Sequence, residues 1–155
     1  MAKAGNLDLT GTGHCASFNF RRTARAITKL YDGALAETGL RSTQFAILVG
    51  IAKLQPAAIS AVGEVLVIDP TTLSRSLRLM EKEGLIAIGP RSEKRQRLVS
   101  VTRRGEEALG KALPAWREMQ ARFETTVGAA HWKELRDELE RLAGVAGELE
   151  TGASL

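Results

Sequence analysis

Residues 69–84, Asp-Pro-Thr-Thr-Leu-Ser-Arg-Ser-Leu-Arg-Leu-Met-Glu-Lys-Glu-Gly, predict a short helix with both ends specified by the chain itself. Asp69 can accept from the free amides of a first turn, and Pro70 forfeits no bond at the first helical position. Gly84 suits the left-handed residue that follows a last turn. At about 100° per residue, Thr71, Arg75, Arg78 and Lys82 share one stripe, while Leu73, Leu77 and Met80 share the opposite one. Such a helix buries one edge and offers threonine, serine and arginine on the other. Those groups meet guanine edges, thymine methyls and phosphates in a DNA major groove. A solvated surface helix has the same pattern, and the residues that follow decide between the two.

Leu85-Ile86-Ala87-Ile88-Gly89-Pro90 and Leu98-Val99-Ser100-Val101-Thr102 are short apolar runs on either side of Arg91-Ser92-Glu93-Lys94-Arg95-Gln96-Arg97. This order predicts a β-hairpin with a projecting basic tip. A capped helix followed by such a hairpin makes a winged helix-turn-helix, in which Arg91, Lys94, Arg95 and Arg97 can reach backbone or the adjacent minor groove. The charge is distributed to match. Residues 70–104 hold nine Lys or Arg against three acidic residues, a net of +6, although the whole chain is only +4. Residues 115–155 hold five basic against eight acidic residues, a net of −3. Positive charge concentrated on the reading surface is the footprint of a polyanion.

The rest of the chain supplies the scaffold. Ser17 to about Glu37 reads as a helix through Phe20, Ala24, Ile27, Tyr31 and Ala34, and Ser42 caps a second helix to Leu54 that turns Phe45, Leu48, Val49 and Ala52 inward. Ala58-Ile59 reads as a brief extended segment, and Ser60 caps a supporting helix to Leu66, with Val67-Ile68 as the turn. Thr102 caps a long helix containing Pro114, which predicts a bend. Gly128 separates it from a last helix, about His131 to Glu148, with Leu135, Leu139, Leu142, Ala146 and Leu149 in a packing seam. At 155 residues the chain is one structural domain by length. Residues 1–13 and 150–155 read as flexible ends, 40–104 as the DNA-binding region, and 14–37 with 115–149 as dimerisation helices. Phe18, Trp116, Phe123, Trp132, Leu135, Leu139 and Leu142 are the interface candidates, because so long an apolar stripe calls for a second subunit.

Several classes are excluded. With His14 and His131 as the two histidines, no glycine-rich phosphate loop and no metal-ligand spacing, no catalytic constellation or metal site is present, and no cofactor is expected. One cysteine allows no intrachain disulfide. Residues 45–68 are broken by Lys53, Gln55, Pro56, Ser60 and Glu64, so no membrane span is expected. Lys3, Asn6 and Asp8 stand where a signal peptide would be apolar, and the chain reads as cytoplasmic.

Gly39-Leu40-Arg41-Ser42-Thr43-Gln44-Phe45, Ile68-Asp69-Pro70-Thr71-Thr72-Leu73-Ser74-Arg75, Met80-Glu81-Lys82-Glu83-Gly84-Leu85-Ile86 and Arg97-Leu98-Val99-Ser100-Val101-Thr102 with Gly105 together resemble the MarR family of bacterial winged helix-turn-helix regulators. The likeness extends over about residues 15–149. It implies a mainly α fold with a small β-hairpin wing and terminal dimerisation helices. A homodimer would bind double-stranded DNA at a palindromic operator, usually as a repressor, and release it when a small aromatic or phenolic effector binds. By position, Thr71, Thr72, Ser74, Arg75 and Arg78 form the major-groove set and Arg95 is the wing arginine. Glu93 stands where the family commonly has aspartate, and its longer side chain can still hold Arg95. Arg41, Ser42, Thr43 and Gln44 lie near the DNA backbone at a helix N-terminus.

Cys15, beside His14 and six residues before Arg21, resembles the reactive cysteine of the family's hydroperoxide-sensing branch. That branch also supplies tyrosines near the thiol, whereas this chain has Tyr31 alone and places Asn19 and Phe20 nearby. A small interface residue is the alternative role for Cys15. For an effector, Phe20, Arg21 and Arg25 are the candidate pocket residues, an arginine pairing a carboxylate. A winged helix that binds protein, or an architectural DNA binder without operator specificity, are the other readings of the fold.

Overall fold

The computed structural model describes residues 7–91 and 96–152. Its elements run α1 (Ala16–Leu35), α2 (Ser42–Leu54), β1 (Ala57–Ala58), α3 (Ile59–Leu66), α4 (Pro70–Lys82), β2 (Ile86–Arg91), β3 (Arg97–Val101), α5 (Arg103–Val127) and α6 (Ala129–Thr151). The fold is mainly helical with a small antiparallel sheet, as expected. The described residues form two compact units, the first reaching Ala115 and the second beginning at Trp116.

The first unit holds the core. Leu35, Leu48, Ile51, Val62, Leu73, Leu77, Met80 and Val99 are its largest fully enclosed side chains. Helix α2 is more deeply enclosed than its predicted stripe: Ile47 and Ile51 are buried, whereas Ala52 is exposed. It packs against α1, α3 and β3 at once, so a single inward face does not describe it. The sheet has the order β1-β3-β2. Ala57 pairs with Val99 and Ala58 with Leu98, so the brief extended segment lies one residue earlier than predicted and adds a third strand to the hairpin. Pro90 sits on the edge strand β2, beside a register irregularity between Ile88 and Arg91, where its missing amide breaks no central ladder.

Two predicted caps are corrected. Ser60 lies inside α3, because the chain turns from β1 directly into helix at Ile59. Ser42 is the first residue of α2, and the cap comes from another helix: Asp32 Oδ1 of α1 accepts from the Ser42 N–H and hydroxyl, both at 2.7 Å. The N-terminal helix is α-helical to Leu35 and then tightens into a 3-10 turn over Ala36–Thr38. Thr102 does cap α5, its hydroxyl accepting from the Gly105 N–H at 3.1 Å.

The turn between α3 and α4 carries strain. Val67 has φ 50 and ψ 46, a left-handed conformation that costs an L-residue about 1–2 kcal/mol and is rare for a β-branched one. Asparagine tolerates it better. Because the Val67 side chain is 79% exposed, little packing is at stake. Val67→Asn is expected to raise stability by about 1 kcal/mol, seen as a higher urea midpoint. An unchanged or lower midpoint would show that the turn is not strained.

Helix α5 continues through Pro114, near the end of the first unit, to Val127, and the second unit begins at Trp116. Gly128 separates the helices as predicted, and α6 starts earlier and ends later than its leucine pattern suggested. Phe123 and Trp132 meet edge to face with ring centroids 5.1 Å apart, holding the α5–α6 corner. No residue of α6 is buried.

Candidate DNA interface

Helix α4 forms because its ends and faces agree. Asp69 Oδ1 accepts from the Thr72 N–H at 2.9 Å, and Pro70 opens the helix. The Thr72 side chain and amide hold the Asp69 carboxyl below its ordinary range, so the cap is ionised at neutral pH. Leu73, Leu77 and Met80 are buried beneath, and Gly84 at φ 73 follows the end. Thr71, Thr72, Arg75 and Arg78 stand exposed on the outer side, with Ser74 half-buried at its margin. Ser76, which the pattern did not single out, returns its hydroxyl to the Thr72 carbonyl at 3.1 Å, one turn back along the same helix.

Among the described residues the ion pairs lie on α5 and α6, and none involves Arg75 or Arg78. Two exposed guanidiniums on a capped helix, neither in an ion pair among the described residues, are available to an anionic or guanine partner. This is the electrostatic property a reading helix needs.

The wing is described in part. Arg97 is exposed at the start of β3 and pairs across the sheet with Arg91. Lys94 and Arg95 lie outside the described residues, as does Glu93.

At the α2 start, Ser42 and Gln44, which the resemblance places near the DNA backbone, have partners within the chain. Ser42 already gives both its donors to Asp32. Gln44 accepts from the Arg41 N–H at 3.0 Å and donates to Glu83 Oε2 at 2.9 Å. Arg41 and Thr43 are exposed. The Ser42 hydroxyl and amide, with a smaller field from Arg41, hold the Asp32 carboxyl below its ordinary range against the opposing effect of burial. A lowered folded pKa gives stability that is complete above the unfolded value, about 3.9, and is lost as pH falls through the folded value. Wild type is therefore expected to exceed Asp32→Asn in urea midpoint at pH 7, with the gap closing below about pH 4. A gap that persists at low pH would mean the carboxylate charge is not what matters.

Sequence candidates elsewhere are dispersed. Cys15 precedes α1 and is exposed, as are Phe18, Phe20, Arg21 and Arg25 along that helix. In the second unit, Trp116, Phe123, Trp132 and Leu142 are half-buried and Leu135 and Leu139 exposed. A groove of about 780 Å³ does exist in the first unit, bounded by Arg41, Gln44, Leu79, Glu83, Arg104 and Lys111 among others. It involves none of Phe20, Arg21 or Arg25, and no sequence pattern pointed to it, because its walls come from three separate stretches of chain. Among the described residues no acidic, histidine or cysteine cluster could hold a metal ion, and no helix is long and apolar enough to cross a membrane.

A model of the MarR family matches residues 40–93, the winged-helix part of the chain. The chain is similar to the M. tuberculosis transcriptional regulator MosR in complex with DNA, at 32% identity, with 87% of this chain and 98% of that one covered and a TM-score of 0.78. Against MosR in a second structure the identity is also 32%, the coverage 86% and 96%, and the TM-score 0.74. A MarR-family transcriptional regulator from Rhodococcus sp. RHA1 shares the fold at 20% identity, covering 83% and 93%, with a TM-score of 0.69. No curated protein sequence matches the chain. Identity of 32% sustained over 98% of a known regulator, with the family's own model lying across the winged helix, establishes that the chain belongs to the MarR family of transcriptional regulators.

Proposed function

We propose that the protein is a homodimeric repressor that seats two α4 helices in successive major grooves of a palindromic operator. Thr71, Thr72, Ser74, Arg75 and Arg78 read bases, while Arg41, Thr43 and the wing residues Arg91, Lys94, Arg95 and Arg97 hold backbone. Ser42 and Gln44 act through the α2 start that they brace. The observation that carries this reading is the exposed Arg75 and Arg78 stripe on a capped helix, in no ion pair among the described residues. MosR, the DNA-bound relative, supports it.

The dimer is supported by apolar surface that the single chain leaves open. Phe18 is 59% and Phe20 45% exposed on α1, and Leu135, Leu139 and Leu149 are exposed on α6. A two-fold pair on a palindrome would present its reading helices about 34 Å apart, one turn of DNA. Sedimentation of the protein with an operator duplex is expected to show two chains per duplex. If roughly six phosphates are neutralised, log K against log salt should fall with a slope near −5. One chain per duplex would contradict the dimer, and a slope near zero would contradict phosphate binding.

Release follows binding of a small aromatic or phenolic acid. A second reading, release by oxidation, is favoured by the exposure of the Cys15 thiol. The two separate cleanly: hydroperoxide would weaken operator binding in wild type and not in Cys15→Ser, whereas an acid effector would act equally on both.

A further inference from the structure

Two side-chain links meet at the start of α2. One joins it to α1, through Asp32 Oδ1 and both donors of Ser42 at 2.7 Å. The other joins it to the end of the reading helix, through Gln44 Nε2 and Glu83 Oε2 at 2.9 Å. Glu83 is the residue that closes α4. Between α1 and α2 the chain is short and stiff: a 3-10 turn over Ala36–Thr38, the Thr38 hydroxyl on the Leu35 carbonyl at 2.7 Å, and buried Leu35 and Leu40 on either side. Hydrogen bonds therefore run from α1, through the first turn of α2, to the end of α4.

From this we infer that Asp32 and Glu83 are positioning residues that fix the reading helix relative to α1, and so set the half-site separation the regulator accepts. This rests on the dimer reading, in which α1 belongs to the two-fold interface. A helix carried about 10 Å from a joint, one helix-packing distance, moves by roughly 3.4 Å, the rise of one base pair, when the joint swings by about 20°. Apolar packing alone tolerates such a swing more readily than directed bonds do, because dispersion is not directional and hydrogen bonds are. The charge on Asp32 strengthens its pair of bonds further.

The test uses the full-length protein and the best inverted repeat selected from a random DNA pool. Affinity is measured for that repeat, for versions with one base pair added or removed between half-sites, and for a single half-site duplex. Wild type should lose about tenfold or more on either spacing change. Asp32→Ala and, separately, Glu83→Ala should reduce that loss to about threefold or less, with half-site affinity within about threefold of wild type. The half-site duplex absorbs any general gain from deleting an acidic charge. Ser42→Ala, which removes one of the two bonds to Asp32 and keeps the amide, should fall between and guards against a misfolded Asp32 variant. Variants that keep the full wild-type spacing loss would overturn the inference while leaving the dimer intact. A wild type indifferent to spacing would overturn the dimer reading, and the inference with it.

Discussion

Gly105→Ala is expected to destabilise the protein by about 3 kcal/mol, lowering the thermal midpoint by roughly 10 °C. Gly105 is buried at the first turn of α5, and a Cβ there would run into the Leu85 carbonyl oxygen and the Val101 side chain. Neither can yield independently. The Thr102 N–H donates to that same Leu85 carbonyl at 3.1 Å, and the Thr102 hydroxyl donates to the Gly84 carbonyl at 2.6 Å while accepting from the Gly105 N–H. Making room means opening the junction of α4, the wing and α5 together. Overpacking of this kind costs about 1–3 kcal/mol, and loss of the Thr102 cap about 1 more. Gly110 supplies the contrast, since a Cβ there meets nothing within 4 Å. Gly110→Ala should stabilise by about 0.5–1 kcal/mol through helix propensity alone. Equal effects at the two sites would show that contact at the junction is not the cause.

Arg75→Ala should cost operator binding about 1–3 kcal/mol per half-site, or roughly five- to 150-fold, and relax the preference at one base position. The same is expected for Arg78→Ala at a neighbouring position. Both guanidiniums are exposed, carried on a helix whose opposite face is locked by Leu73, Leu77 and Met80, and neither is held by a carboxylate among the described residues. Arg95→Ala should instead weaken all duplexes evenly, as loss of a backbone contact does, and reduce the salt slope by about 1. Titration of each variant against single-base variants of the operator separates the two behaviours. An even loss for Arg75→Ala would assign it to phosphate.

The parts legible in the sequence are those encoded by residues close together in the chain. Asp69, Pro70 and Gly84 mark a helix because caps act within one turn, and the alternation of Leu73, Leu77 and Met80 with Arg75 and Arg78 gives its two faces directly. The hairpin likewise follows from two apolar runs. What sequence could not give are the partners brought together by folding. Asp32 lies ten residues before Ser42, with a turn between, and nothing in the spacing identifies it as the cap of α2. Gln44 and Glu83 are 39 residues apart, and the close approach of Gly105 to Leu85 is also non-local. The family resemblance implied a place for Ser42 and Gln44 near the DNA backbone, at a helix N-terminus. Folding supplies them with carboxylates of the chain itself, which is a tertiary outcome. Ala52 against Ile47 and Ile51 makes the same point in the core: an amphipathic pattern presumes one buried face, and α2 is enclosed from three sides.

The most direct measurement is selection of duplexes from a random DNA pool, followed by titration of the winner against its scrambled sequence at physiological salt. The account predicts an enriched inverted repeat with half-site centres about one helical turn apart, bound about 10³-fold or more tightly than the scramble. Uniform, salt-sensitive binding without an enriched repeat would contradict it and assign the winged helix an architectural role.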